Sequence, residues 1–216
     1  MKTSTRAAVL ASAALVVALA ATVAVIALQN PAPSSDPATT PISNLVGDST
    51  HLLAEADTGV VLVEFADFQC PSCAAFHPYL EQLHTEFAGE VTFAFRHFPL
   101  PQHAHAIDAA VAAEAAARQG LFAEMHDALF STQAQWAELA DASGFFRQLA
   151  GETGLDLERY DTDITDAELL RTVEADADAG IEAGVRSTPS FFLDGVPLQL
   201  QSYDDLRDAL VAATSD

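Results

Sequence analysis

Between Gly59 and Phe68 the chain reads GVVLVEFADF, an almost unbroken apolar run rich in β-branched residues. Such a run suits a strand covered on both faces, in the middle of a sheet. The next residues, CPSCAAFHPYLEQLHTEF, change period. Pro71 suits a first helical turn, where its missing N–H leaves no bond unmade. Cys73, Phe76, Leu80, Leu83 and Phe87 recur at three- and four-residue steps and mark one helix face. Pro78 falls inside this helix and predicts a kink. Gly89 ends it, and EVTFAFRHF (Glu90–Phe98) returns to strand. Strand, helix, strand in that order asks for a parallel crossover and an α/β class.

From about 104 to 183 the pattern is helical throughout. HAIDAAVAAEAAARQG is an alanine-rich helix stopped by Gly120, LFAEMHDALF puts Phe122, Met125 and Leu129 on one face, and FFRQLAGETG and LDLERY are shorter candidates. DAELLRTVEADADAGIEAG carries Leu169, Val173, Ala177 and Ile181 on one stripe, closed by Gly184. SFFLDGVPLQL then holds Asp194-Gly195 between two apolar runs, a hairpin signal. SYDDLRDALVAA ends the chain as a helix, with Ser202 as N-cap and Leu206 and Leu210 facing inward. The expected architecture is a small α/β sheet domain with a helical block inserted in its middle.

The N-terminus reads as an address. Residues 1–6 are polar and basic, and 7–28 hold no charge, with only Ser12 and Thr22 polar. A stretch of that length spans a bilayer. Lys2 and Arg6 precede it and no basic residue follows until Arg96, which orients the remainder outside the cytoplasm. A cleaved signal peptide, ending near Val25-Ile26-Ala27, is the alternative to a retained anchor. Both export the domain to where disulfides persist. Residues 29–45, rich in Pro, Ser and Thr, read as an extended linker, leaving 46–216 as the folded domain. Beyond residue 29 seven arginines face all 31 acids, a charge of about −24. Such a surface repels phosphate backbones, which argues against nucleic-acid binding.

The chain has two cysteines, Cys70 and Cys73. A bridge across two intervening residues constrains little chain entropy, so a structural staple is a weak reading. A metal site could start from Cys70, Cys73 and His77, but structural zinc wants a fourth ligand and no second cysteine pair exists, so no metal is assigned. His103 and His105 are the other pair to test for metal; the remaining histidines are expected to cap helices or face water. Cys70 falls at the helix N-terminus, where unpaired N–H groups and the macrodipole favour a thiolate, whereas Cys73 lies on the buried stripe. An exposed acidic sulfur beside a shielded partner is the asymmetry that thiol–disulfide exchange uses. Glu64 is a carboxylate inside an apolar central strand, six residues before Cys70. It is either a buried proton acceptor for Cys73 or a glutamate reaching water at the sheet rim.

An acid on a strand six residues before C-P-x-C, the C-P-x-C opening a helix, and a later T-P before a strand resemble the thioredoxin superfamily. VEFADFQCPSCAAFHPYL, FRHFPLP and GVRSTPSFFLDGVPL, in that order, resemble the DsbA family of exported thiol–disulfide oxidoreductases. The membrane-anchored proteins of Gram-positive bacteria are the nearest pattern. The resemblance implies a thioredoxin-like fold with a large helical insertion. It implies that Cys70 is the nucleophile, Cys73 the resolving thiol and Glu64 the buried acid. Pro71 and Ser72 would be the dipeptide that tunes potential, and Thr188-Pro189 the cis-proline site that pairs with a substrate strand. The best-known oxidant of the family has histidine where this chain has Ser72, so a Cys70 pKa lowered less than in that oxidant is expected, and a weaker oxidant with it.

The expected function is oxidation of cysteines in newly exported proteins. The resemblance implies no bound organic cofactor and a quinone-linked membrane re-oxidant of the DsbB or vitamin K epoxide reductase type. The rivals are a reductase or isomerase of the same fold and a non-catalytic exported domain that binds extended peptides.

Overall fold

The computed structural model describes residues 39–215; the expected anchor at 7–28 and most of the expected linker lie outside them. Among the described residues no helix is long and apolar enough to cross a membrane. A short helix α1 (Ile42–Leu45) and strand β1 (His51–Ala54) precede β2 (Val61–Ala66), α2 (Pro71–Glu86) and β3 (Thr92–His97). Six helices follow: α3 (Ala106–Ala117), α4 (Phe122–Ser131), α5 (Gln133–Trp136), α6 (Ser143–Glu152), α7 (Leu157–Asp163) and α8 (Ala167–Glu182). The chain then closes with β4 (Ser190–Leu193), β5 (Val196–Pro197) and α9 (Tyr203–Thr214).

The sheet order is β1-β3-β2-β4-β5, so β2 is its middle strand. It runs parallel to β3, as the strand–helix–strand pattern requires, and antiparallel to β4. Residues alternate across a strand. Leu62 meets Leu80, Leu83, Leu206 and Leu210 of α2 and α9 on one face, while Val63 and Phe65 pack with Phe98, Val185 and Phe192 on the other. Glu64 shares the α2 face with Leu62. Asp194 and Gly195 both have positive φ, 49° and 84°, which makes the tight β4–β5 turn. Ser202 caps α9 in a capping box with Asp205. β1, an irregular four-residue edge strand on β3, carries no sequence signal of its own.

Helix α2 runs unbroken through Pro78. Its buried positions are Cys73, His77, Leu80 and Leu83, so His77 takes a core place and Phe76 turns half out to pack on Phe191 and Tyr203. Helix α3 is buried nearly all round because its alanines let α4, α6, α7 and α8 approach closely.

The stripe on α8 differs from expectation. It is Leu169, Val173, Asp176 and Gly180, and Ile181 is exposed. The reason is a buried charge and a close approach. Asp176 is fully buried and accepts from Arg96 Nε (2.9 Å) and Nη2 (2.7 Å), the His97 amide (3.0 Å) and Ser49 Oγ (2.6 Å). One turn on, a Cβ at Gly180 would lie 2.6 Å from the Phe98 ring, so only glycine lets the helix reach the sheet there. Arg96 also donates to the Leu45 carbonyl, which draws α1 into the same knot.

Removing one partner of such a buried pair strands the other charge, at a cost of about 3–5 kcal/mol. Asp176→Ala should lower unfolding free energy by that amount in urea titration; a loss below about 1 kcal/mol would mean the pair does not hold α8 to the sheet.

Candidate active site

Strand β2 ends at Ala66 and α2 begins at Pro71, so the loop between them delivers Cys70 to the N-cap position of α2, with extended φ −72° and ψ 120°. Cys73 sits one turn in, on the buried side. Both are free thiols, 6% and 1% exposed. Cys70 was expected to be exposed; it is not, because Thr188 lies across it, with the Thr188 carbonyl 3.4 Å from Cys70 Sγ. The Thr188-Pro189 bond is cis. Pro71 and Ser72 are exposed beside the cysteines.

The two sulfurs differ in acidity. Cys70 is lowered to about 5, first by the hydrogen bond from the Cys73 thiol; burial opposes, and the Thr188 side chain and the backbone N–H groups of Cys73 and Ser72 add to the lowering. Those amides are the unpaired donors of the helix N-terminus. Cys73 is pushed well up, chiefly by burial, then by its hydrogen bond to Cys70 and the charges of Glu64 and Cys70. Glu64 is 6% exposed between Phe95 and Phe191 on the neighbouring strands, which rules out the rim alternative. Burial, with the Cys70 charge second, lifts it to about 8. At neutral pH the site therefore holds one thiolate, one thiol and one largely protonated acid.

Three residues that the sequence reading passed over hold this loop. Gln133 of α5 donates to the carbonyls of Phe68 (2.6 Å) and Cys70 (3.0 Å). Gln69 donates to the Ala137 carbonyl (2.7 Å) and accepts from the His105 amide (2.6 Å). Asp67 accepts from the amides of Gln69 (2.7 Å) and Leu100 (2.8 Å) and pairs with His103 Nδ1 at 2.6 Å. Asp67 carried a signal, being a second acid in the apolar run; the two glutamines carried none. His103 and His105 do not form a metal pair: His103 is bound to Asp67, and His105 Nε2 meets the Leu139 carbonyl at 2.7 Å. The other histidines do not mainly cap or face water. His77, His97 and His126 are buried, because neighbouring carboxylates and aromatic rings give them partners inside.

Two depressions flank Pro71 and Ser72. One, of about 330 Å³, is lined by Ser72, Phe76, Thr188, Pro189, Phe191 and Leu198. The other, of about 620 Å³, lies toward the helical block between Gln69, His103, Gln133 and Leu139. The site thus has a paired-cysteine centre flanked by two grooves, each lined by both polar and apolar side chains.

A C-P-x-C pair at a helix N-terminus, in contact with a cis Thr-Pro bond and with a buried acid on the central strand, is a thioredoxin-type arrangement. The family model described as "Thioredoxin" matches residues 48–212, and the chain belongs to that family. Solved structures share the fold. BdbD from Bacillus subtilis, in its oxidised form, superposes with a TM-score of 0.73 at 22% identity over 84% of this chain and 100% of its own. The thiol-disulfide exchange protein alpha-DsbA2 from Wolbachia pipientis gives 0.68 at 18% over 80% and 91%. The catalytic domain of Proteus mirabilis ScsC gives 0.67 at 19% over 81% and 95%. Among curated sequences, the chain is 34% identical over 150 residues to the Na(+)/H(+) antiporter NhaA 1 of Mycobacterium sp. strain KMS, and 37% over 149 residues to NhaA 3 of Salinispora tropica. It spans only 23% and 22% of those proteins' lengths, so the likeness is to a segment of each.

In the reduced chain, alkylation by iodoacetamide should rise with pH through a midpoint near 5 and label Cys70 alone up to pH 8. A midpoint near the ordinary cysteine value of about 8.5 would remove the assigned asymmetry.

Proposed function

We propose that this chain is an extracytoplasmic thiol–disulfide oxidoreductase that oxidises cysteines of exported proteins through Cys70 and Cys73. The observation that carries the reading is the separation of the two sulfurs, with Cys70 lowered to about 5 and Cys73 held high beside an acid at about 8. A substrate thiolate attacks Cys70 Sγ of the Cys70–Cys73 disulfide. The S–S bond breaks, a substrate–Cys70 mixed disulfide forms, and Cys73 leaves as a thiolate that takes the Glu64 proton. A second substrate thiolate attacks the substrate sulfur and expels Cys70 as the stabilised thiolate. The substrate loses two electrons and gains a disulfide; the enzyme keeps one proton on Cys73, and Glu64 is reprotonated from solvent. The groove along Phe76, Thr188, Pro189 and Ser190 suits an extended substrate segment. Turnover then needs a re-oxidant, for which a quinone-linked membrane protein is proposed, with the 7–28 segment keeping the domain near it. Antiport is not part of the proposal.

A strong oxidant has a stable reduced form, which a stabilised thiolate provides. The reduction potential, measured on the full chain against glutathione, should lie nearer the value of about −120 mV typical of DsbA than the −270 mV or so of thioredoxin. A value at the thioredoxin end would reverse the direction of electron flow. Absence of exchange, with peptide binding retained by Cys70→Ser, would leave only the binding domain.

Glu64 gives a second test. Its folded pKa is raised, so its contribution to stability is fully present below its ordinary pKa and is lost as pH rises through 8. Glu64→Gln lacks that titration. It should match the parent near pH 4 and exceed its stability by roughly 3–4 kcal/mol at pH 7, while resolving mixed disulfides more slowly. Equal stability profiles across pH 4–8 would mean that Glu64 is not a buried proton carrier.

A further inference from the structure

His77 on α2 and His126 on α4 are both buried, and one ligating atom from each lies within 4.8 Å of the other and of an Asp127 carboxylate oxygen. His126 Nδ1 is 2.8 Å from Asp127 Oδ1, and His77 Nε2 is 3.9 Å from the same oxygen. His126 is 2% exposed, and its second nitrogen, Nε2, is buried with no hydrogen-bond partner. Around the ring stand Phe95 and Phe130, nearly perpendicular to it at 4.9 and 5.1 Å.

Neither neutral tautomer of His126 is complete here. With the proton on Nδ1, that nitrogen donates to Asp127, and Nε2 points a lone pair at aromatic rings that offer no donor. With the proton on Nε2, the N–H lies among π systems, which accept it weakly. The Nδ1 lone pair then faces a carboxylate lone pair at 2.8 Å. A cation between Nδ1 and Oδ1 resolves that conflict. Neutral imidazole is also the form that binds metals.

We infer that His77, His126 and Asp127 form a site for a divalent ion of the zinc class, binding between α2 and α4 with its remaining position open to water on the Asp127 side. Two imidazoles and a carboxylate suit such an ion, whereas calcium and magnesium want more oxygens. Tetrahedral ligands at zinc distances stand about 3.4 Å apart. The 2.8 and 3.9 Å separations here bracket that spacing, so small rotamer shifts suffice. Asp127 is 48% exposed, which gives the ion a way in. The second histidine cluster differs. His51 and His97 both place Nε2 on Glu114 Oε1, at 2.6 and 2.8 Å, and no buried nitrogen there lacks a partner among the described residues. In that cluster every buried nitrogen has a partner, whereas His126 keeps one, Nε2, without. An ion at His77 would clamp the helix that carries Cys70 and Cys73 to the inserted helical block.

The test uses the full chain carrying Cys70→Ser and Cys73→Ser, which removes thiolate ligands. Zinc binding is followed by calorimetry and by the rise in melting temperature, with cobalt as a spectroscopic probe of coordination. One equivalent is expected, with no effect of calcium. Asp127→Asn, at a half-exposed position, and His77→Gln should each weaken zinc binding by about tenfold or more and abolish the melting shift. If His77→Gln does not fold, Asp127→Asn alone decides. No zinc uptake at micromolar concentration, unchanged affinity in Asp127→Asn, or loss of binding in His51→Gln instead would each overturn the site.

Discussion

The backbone from Asp67 to Cys70 leaves a central strand and enters a helix, and its polar groups are buried before either element can satisfy them. Each one left unpaired would cost on the order of 1–3 kcal/mol. The partners come from the helical insertion and from the turn that leads into it. Gln133 reaches two carbonyls of the loop, Gln69 exchanges bonds with Ala137 and His105, and Asp67 gathers the Leu100 amide and His103. The insertion therefore completes the active-site loop. The position of Cys70 against Thr188, and with it the order of the two cysteine pKa values, rests on that seam.

On the far side of the sheet, Asp176 and Arg96 do the equivalent work for the frame. A buried carboxylate that accepts from a guanidinium, a backbone amide and a hydroxyl has few lone pairs left unused. It fixes the rotation of α8 about its axis, which is why Gly180 and not Ile181 meets the sheet. Both polar clusters join elements far apart in sequence, so the insertion cannot separate from the sheet without exposing charges and unpaired amides at once.

That long range is also what limited the reading of the sequence. The β2–α2–β3 unit was legible because a covered strand and an amphipathic helix leave different periods in adjacent residues. The difference between Cys70 and Cys73 was legible because it follows from one helical turn, and Glu64 stood out because charge is rare in such a run. The Thr188-Pro189 site was not legible from residue types; only the resemblance assigned it. Gln133, Asp176 and His126 matter through contacts with residues far away along the chain, and nothing near them marks them. Exposure of Cys70 was misjudged for the same reason, since the residue that covers it lies 118 positions later.

The proton balance of the site follows from these placements. A cysteine lowered to about 5 contributes stability to the reduced chain that is present above its ordinary pKa and lost as pH falls through 5. Glu64, raised to about 8, contributes in the opposite sense over nearly the same window. In the reduced chain the two slopes oppose each other between pH 5 and 8. In the disulfide form the Cys70 titration is gone, and so is the thiolate charge that helps to raise Glu64. Reduction therefore does not simply take up two protons. One goes to Cys73, Cys70 takes little above about pH 6, and Glu64 binds its own more tightly once the thiolate has formed. Glu64 thus returns to the reaction part of the proton that the acidic Cys70 declines. A buried acid beneath the pair softens the pH dependence that a lone low-pKa thiolate would impose, and it does so at the expense of stability near neutral pH.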